Sequence, residues 1–287
     1  MTHRPYQVVD VFSAKPFLGN PVAVVLDGAG LSGEEMQAIA RWTNLSETTF
    51  VLPPTQNGAD YLLRIFTPRS ELPFAGHPTL GSLHALTEAG LVSTGARVVQ
   101  QCGVGLVSVE HVAAGSHARY RLALPAAKTS SLAAAAVEDI AAAIGLSVLA
   151  EPMPLVVDVG PKWLVAQVES VAALLAARPN YSLLAALERQ HHITGVTLYA
   201  VAQQQLETRS FAPSYGVDED PVCGSGNGAV AVHRLKSGQL HAGTGYLAEQ
   251  GRCLGRAGRV LIDTTAAGDV WLGGDCVTTL SGHLLTG

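Results

Sequence analysis

Glu47 is the carboxylate whose surroundings in the sequence best suit proton transfer. It lies in the segment Asn44–Phe50, between a predicted helix over Ser32–Trp42 and a predicted apolar strand over Thr48–Leu52. If Phe50 and its neighbours enclose the side chain, loss of hydration will raise the pKa of Glu47 toward neutrality. A carboxyl group with such a pKa can both accept and return a proton. The alternative is a solvent-exposed carboxylate in a surface loop.

Two predicted helices, His77–Ala89 and Gly226–Lys236, begin after glycine-containing turns. The first backbone N–H groups of a helix have no partner within the helix, and the helix dipole adds partial positive charge there. Both helix starts therefore predict anion-binding sites, with Pro78 in the first helical position of the earlier one. The alternative is that the glycines serve only a tight start of each helix. The glycines that would let a ligand approach the backbone are Gly76, Gly224 and Gly226.

Polar side chains accompany both helix starts. His77 could donate a hydrogen bond to a substrate or exchange a proton with it, or it could merely cap its helix. Asp220 closes a run of three carboxylates, and Pro221 with the glycine turn after it brings Asp220 near the second helix start. Ser225, in that same turn, could donate a hydrogen bond to a developing oxyanion.

Cys223 precedes the second helix start, where the helix dipole would favour a thiolate. A racemase that uses two thiols needs a second cysteine, but the corresponding position of the first half is Ala75. A small buried cysteine is therefore favoured over a catalytic one. The four cysteines include no Cys-x-x-Cys pair and the ten histidines no His-x-x-x-His spacing, so we expect no metal site.

A repeated sequence pattern surrounds these residues. Arg64-Ile-Phe-Thr-Pro68 is echoed by Arg209-Ser-Phe-Ala-Pro213, and Glu71–His77 is echoed by Glu219–Ser225. In each copy a predicted strand leads through a proline-containing loop into a helix that is apolar on most faces, which is typical of a buried helix. The pattern predicts two pseudosymmetric halves, each a curved sheet wrapped on a central helix.

Composition excludes several classes of function. The 287 residues carry a formal net charge of -5 with only 18 Lys plus Arg, and no basic run could neutralise a nucleic-acid backbone. No apolar stretch reaches the roughly 20 residues that a transmembrane helix needs. The first residues contain no signal-peptide core, so a cytoplasmic location is the expectation. We expect no nucleic-acid or membrane partner.

Four motifs, in this order along the chain, resemble those of the phenazine-biosynthesis PhzF-like family. They are Gly19-Asn20-Pro21-Val-Ala-Val, Asn44-Leu-Ser-Glu47-Thr-Thr-Phe, Phe66–Thr79 and Asp218–Gly228. The resemblance implies the diaminopimelate-epimerase-like fold, an α+β architecture of two domains, each a barrel-like, mostly antiparallel sheet around a central helix. The stretch Ala126–Ala136, which is rich in Ala, Ser and Lys, predicts the linker, with domains over 1–126, which the C-terminal strand could complete, and 127–287. The resemblance also implies an active site between the domains, no cofactor, and a homodimer. One departure is Cys223, where the family usually has threonine or another small residue.

The resemblance also assigns roles to residues. A glutamate at the position of Glu47 acts as acid and base in the family, and residues matching His77, Asp220 and Ser225 line the site. We expect Gly76, Gly224, Gly226, Cys223 and Asn20 to bind the substrate.

The leading hypothesis is therefore a cofactor-independent isomerase that moves a proton within a small, unsaturated, carboxylate-bearing metabolite. One alternative is an amino-acid racemase or epimerase that uses Cys223 with a second base other than cysteine. The other is a non-catalytic small-molecule-binding protein on the same fold.

Overall fold

A computed structural model describes residues 1–93, 97–114, 117–203 and 205–287. The strands are β1 (Thr2–Val11), β2 (Asn20–Val25), β3 (Glu47–Leu52), β4 (Tyr61–Phe66), β5 (Glu71–Leu72), β6 (Arg97–Cys102), β7 (Gly105–Ala114), β8 (His117–Ala123), β9 (Lys128–Ser130), β10 (Leu155–Asp158), β11 (Lys162–Gln167), β12 (Gly195–Ala202), β13 (Gln205–Ala212), β14 (Val217–Asp220), β15 (Gly245–Gln250), β16 (Gly258–Thr264) and β17 (Val270–Thr286). The helices are α1 (Gly33–Thr43), α2 (Gly76–Glu88), α3 (Ala134–Ile144), α4 (Val171–Ala176), α5 (Tyr181–His191) and α6 (Gly224–Lys236).

The chain divides into two compact units. The first comprises Met1–Leu122 with Gly273–Gly287, and the second comprises Ala123–Leu272. The sequence had suggested 1–126 and 127–287, with the C-terminal strand as a possible addition to the first domain. The last residues join the first unit because β17 pairs antiparallel with β1 from Val11↔Cys276 to Thr2↔Thr286.

In the first unit, strands surround the buried helix α2. The sheet runs antiparallel from β17 through β1 to β2, parallel from β2 to β3, antiparallel to β4, parallel to β6 and antiparallel to β7. Helix α2 packs on β1, β2, β3 and β7, and its residues from His77 to Leu86 are buried. An added methyl group at Gly81 would collide with Val22, so the helix can approach the sheet only with glycine there.

The second unit repeats this pairing. Strand β11 runs parallel to β12, β12 antiparallel to β13, β13 parallel to β15, and β15 antiparallel to β16. Helix α6 packs on β10, β11, β12 and β16 and is buried through most of its length. The other helices form a further core with the sheet, to which Ile144, Leu174, Leu184, Leu198 and Phe211 contribute.

The predicted fold class is thereby confirmed. Each unit of this α+β protein places a mostly antiparallel sheet around a central helix, although the strands differ in length from two residues in β5 to seventeen in β17 and do not make an even barrel.

Helix ends show which local predictions held. Ser32 and Glu35 form the predicted capping box at α1, with distances of 2.7 Å from the Ser32 N–H to Glu35 Oε2 and 3.2 Å from the Glu35 N–H to Ser32 Oγ. The prediction for Pro78 was wrong. Ala75 is the N-cap of α2 and Gly76 is already helical, so Pro78 occupies the third helical position.

Candidate active site

Glu47 and His77 form a buried pair in the first unit. Asn44 ends α1 in the left-handed conformation, with φ 55°, and turns the chain into β3, whose first residue is Glu47. His77 is the second residue of α2. Its Nε2 lies 3.1 Å from Glu47 Oε2, with the side chains 8% and 16% exposed respectively. The structure therefore brings together two residues that lie thirty positions apart in the sequence.

The charge state of Glu47 differs from the prediction. Burial raises the pKa of Glu47, as expected, but the electrostatic attraction of the neighbouring His77 outweighs burial. The pKa of Glu47 therefore lies below its ordinary value, and the predicted rise toward neutrality was wrong. Near pH 7 the side chain is a carboxylate, shielded from water and ready to accept a proton.

Asn20 supports the strand next to this pair. It is fully buried at the start of β2, and its Oδ1 accepts a 3.4 Å hydrogen bond from the hydroxyl of Ser46. Because Ser46 immediately precedes Glu47, Asn20 helps to fix the backbone that carries the carboxylate. Direct contact between Asn20 and a substrate stays a prediction.

Ser225 and Cys223 lie together at the start of α6 in the second unit. Cys223 is the N-cap residue, and its Sγ accepts a 3.3 Å hydrogen bond from the Gly226 N–H. The Oγ of Ser225 lies 3.6 Å from that sulfur and accepts a 3.1 Å hydrogen bond from Trp163 Nε1. An indole nitrogen can only donate, so the hydroxyl proton of Ser225 must point to another acceptor.

The thiol of Cys223 is not activated. Its side chain is buried, and burial raises the pKa of Cys223 well above its ordinary value, with the negative charge of Asp220 acting in the same direction. The expectation that the helix dipole would favour a thiolate was therefore wrong, because loss of hydration outweighs the dipole. Cys223 is a protonated thiol near pH 7.

Asp220 ends β14, and its Oδ1 accepts a 3.0 Å hydrogen bond from the Val222 N–H. This bond closes the turn through Pro221, and the turn leads directly into α6. Asp220 is half-buried, as is Ser225. The sequence had placed both residues near the second helix start, and the structure places them there.

The three glycines differ in what they allow. Gly76 and Gly224 are the first residues of α2 and α6, where the backbone N–H groups are free of helical partners. Gly226 is buried, and a methyl group added there would lie 2.6 Å from Thr197 Oγ1 and 2.7 Å from Ser210 Oγ. At Gly226 packing inside the second unit therefore requires a glycine.

Two residues that contact Ser225 or Cys223 were missed by sequence reasoning. Trp163 holds the hydroxyl of Ser225, and Gln250 bonds to the backbone of Cys223. Each lies on a strand remote in sequence from α6, and neither belongs to a motif. Only the pairing of the strands could have revealed them.

Within the described residues there is no group of three or more His, Cys, Asp or Glu side chains arranged to hold a metal ion. Every helix in the same part of the chain is too short or too polar to span a bilayer.

Comparison with known proteins identifies the family. Residues 9–282 match the model of the PhzC-PhzF family, described as phenazine biosynthesis-like protein. The chain is 39% identical to antisense-enhancing sequence 1 of Schizosaccharomyces pombe, over 98% of this chain and 99% of the relative. It is 37% identical to trans-2,3-dihydro-3-hydroxyanthranilate isomerase of Pseudomonas aeruginosa, over 93% and 92% of the two chains.

Its fold matches the crystal structure of a PhzF-family phenazine biosynthesis protein of Bacillus anthracis. The TM-score is 0.89 at 24% identity, with all of both chains covered. The family match spans both units and the residues singled out above. The chain therefore belongs to the phenazine biosynthesis-like family and is an isomerase of that family.

Proposed function

We propose that this isomerase moves a proton between two carbon atoms of a small, unsaturated, carboxylate-bearing metabolite, with Glu47 as the acid and base. The observation that carries the proposal is the shielded contact of 3.1 Å between Glu47 Oε2 and His77 Nε2. It provides a carboxylate that is ionised near pH 7, largely out of water and next to an imidazole, so it can accept a proton as a general base.

The reaction needs only one proton and one shift of a double bond. The Glu47 carboxylate removes a proton from an sp³ carbon next to a double bond, and the electron pair of the broken C–H bond moves into the allylic system. The protonated carboxyl group then returns the same proton to the far carbon, where a new C–H bond forms. Nothing is oxidised or reduced, so the reaction requires no redox cofactor. His77 keeps the carboxylate in place and stabilises its charge between turnovers.

We propose that the start of α6, with Ser225 and Asp220, binds the charged and polar groups of the substrate. The start of α6 offers free backbone N–H groups and the positive end of a helix dipole, which suit a carboxylate. Because Trp163 donates to Ser225 Oγ, that bond leaves the hydroxyl proton of Ser225 unused, and the proton can turn from Cys223 Sγ to a substrate oxygen. Asp220 would accept a hydrogen bond from an amino or hydroxyl group of the same molecule.

The relatives narrow the class of substrate. A protein 37% identical over most of its length is named for isomerisation of trans-2,3-dihydro-3-hydroxyanthranilate. We propose that this chain accepts a compound of that chemical class, a cyclic and partly unsaturated amino acid.

Proton transfer in D₂O tests the proposal. Purified protein is incubated with a panel of cyclic unsaturated amino acids, and deuterium incorporation is followed by NMR and mass spectrometry. Glu47→Gln keeps the shape of the side chain but removes the base, so we expect turnover to fall by about 10²–10⁴-fold while ligand binding stays measurable.

Glu188→Gln is the matched control for this experiment. Glu188 is likewise a buried carboxyl group, and its Oε2 accepts a 2.9 Å hydrogen bond from the Ser214 N–H. We expect this variant to keep full turnover. Full activity in Glu47→Gln would refute the proposed mechanism.

The racemase alternative depends on Cys223, whose thiol is buried and protonated near pH 7. We therefore propose a structural role for this cysteine as the N-cap of α6. Cys223→Ser should retain proton transfer, because serine is a good N-cap residue. Exchange at Cα of amino acids that disappears in Cys223→Ala would instead favour a racemase.

We also propose that the enzyme works as a homodimer, as the family resemblance implies. Light scattering coupled to gel filtration should give twice the chain mass of 29.8 kDa. A mass of 29.8 kDa at micromolar concentration would contradict the dimer.

A further inference from the structure

Gln250 is a buried amide that the proposed chemistry leaves unexplained. It ends β15 and is only 1% exposed. Its Oε1 accepts hydrogen bonds from the Cys223 N–H at 3.0 Å, from Asn227 Nδ2 at 2.7 Å and from Thr208 Oγ1 at 3.1 Å. Its Nε2 donates a 2.9 Å hydrogen bond to the carbonyl oxygen of Asp220. One side chain thus bonds to backbone atoms at both ends of the segment 220–223.

The hydrogen bonds of Gln250 lie on the segment that positions two proposed site residues. The segment 220–223 leads from Asp220, at the end of β14, directly into α6 and Ser225. Asn227 lies in the first turn of α6 and also donates to the Cys223 carbonyl oxygen at 2.9 Å. Gln250 therefore fixes the turn and the first helical turn to the same strand.

The amide group is required because it both accepts and donates. Glutamate in its ionised form would keep the acceptor oxygen but lose the bond to the Asp220 carbonyl, and methionine would lose every polar contact. Each buried donor left without a partner costs about 1–3 kcal/mol. A displacement of about 1 Å in a reacting group can reduce the rate by about 10²-fold.

We propose that Gln250 is a positioning residue of this enzyme, which sets the turn carrying Asp220 and the start of α6 in the geometry that turnover requires. The proposal rests on the proposed function, because that function assigns Asp220 and Ser225 to the substrate. Gln250 acts through these residues and does not touch the substrate itself.

Gln101 provides a matched control in the first unit. It is also a buried glutamine at the end of a strand, 7% exposed, and its Oε1 accepts hydrogen bonds from the Thr55 and Gln56 N–H groups at 2.8 and 3.1 Å. Its Nε2 donates to Thr55 Oγ1 at 2.7 Å. Gln101 thus fixes a turn of comparable kind that carries no proposed site residue.

The experiment compares Gln250→Met with Gln101→Met in the full chain. Thermal unfolding identifies a temperature at which both variants are folded, and kcat and KM are measured there with the isomerisation substrate. We expect kcat to fall by about 10- to 100-fold in Gln250→Met and to stay within about twofold of wild type in Gln101→Met, where the fixed turn carries no proposed site residue. Equal kcat values in the two variants would overturn the proposal.

Hydrogen–deuterium exchange measured by mass spectrometry provides a readout that needs no substrate. In Gln250→Met the amides of residues 220–227 should exchange faster, while in Gln101→Met the change should be confined to the turn at 53–60. Unchanged exchange at 220–227 would overturn the positioning role. Full activity of Glu47→Gln would refute the proposed function itself. Failure of the positioning role and failure of the proposed function are therefore distinguishable.

Gln250→Glu is the second variant, in case methionine prevents folding. It keeps the acceptor oxygen for all three donors and loses only the bond to the Asp220 carbonyl in its ionised form. We expect its kcat to lie between those of wild type and Gln250→Met. A folded Gln250→Glu variant with wild-type kcat and wild-type exchange at 220–227 would also overturn the proposal.

Discussion

The repeated motif forms the same ion pair in both units, but in different surroundings. Arg64 meets Glu71 through two hydrogen bonds of 2.7 Å, and Arg209 meets Glu219 through two of 2.9 and 2.8 Å. Both arginines also lie over a phenylalanine two positions on, at 5.1 and 5.0 Å from the ring centre. The side chains of the first pair are 31% and 43% exposed, whereas both side chains of the second are 4% exposed.

This difference in burial sets the expected cost of breaking each pair. Glu219→Gln leaves the buried guanidinium of Arg209 without its counter-charge, which costs about 3–5 kcal/mol. The same change at Glu71 breaks an accessible pair and costs about 0.2–1 kcal/mol. At about 2–4 °C per kcal/mol for a unit of this size, the unfolding midpoint of the second unit should fall by about 6–20 °C, against about 4 °C or less for the first.

Differential scanning calorimetry of the full chain measures both shifts. Added salt should weaken the effect of Glu71→Gln by screening its pair and should leave that of Glu219→Gln nearly unchanged. The double variant Arg209→Met with Glu219→Leu is the control, since removing both charges should recover most of the lost stability. Equal shifts for the two single variants would refute the claim that burial decides the contribution of this motif.

Two further predictions concern the site. In His77→Gln the attraction that lowers the pKa of Glu47 is lost while burial remains, so the pKa of Glu47 should rise and the acid limb of the pH profile of kcat/KM should move to higher pH. In wild type the lowered pKa stabilises the folded protein above the ordinary carboxyl pKa, and this stabilisation is lost as the pH falls through the folded-state pKa. The variant should lack this stabilisation. An acid limb that does not move would contradict the pairing of Glu47 with His77. Trp163→Phe keeps an aromatic ring but removes the donor to Ser225, so kcat should fall by about tenfold. A Ser225→Ala variant that loses activity additively with Trp163→Phe would show that the two residues act independently.

Local sequence determined much of the fold because short-range interactions decide it. The predicted capping box at Ser32 forms as expected, and the buried central helices follow from apolar residues on most of their faces. The echo of Arg64 and Glu71 in Arg209 and Glu219 predicted two related halves, and both copies make the same contact. The motifs around Glu47, His77 and Ser225 also identified the family correctly.

Strand β17 shows where local reasoning was insufficient. From the sequence alone, Val270–Gly273 indicates a short strand, but the strand continues to Thr286. The later residues include threonines, a serine and two glycines and carry no clear apolar alternation. They are extended because β1 supplies backbone hydrogen bonds along their length, a partner that lies at the opposite end of the sequence.

The sequence by itself therefore determined the class of fold, the duplicated motif and the residue types available for chemistry. The tertiary structure alone decided the protonation states of these residues. Burial and the distance to an opposite charge set a pKa, and neither can be read from spacing along the chain. Glu47 is ionised because α2 brings His77 to it, and Cys223 keeps its proton because the second unit buries it beside Asp220.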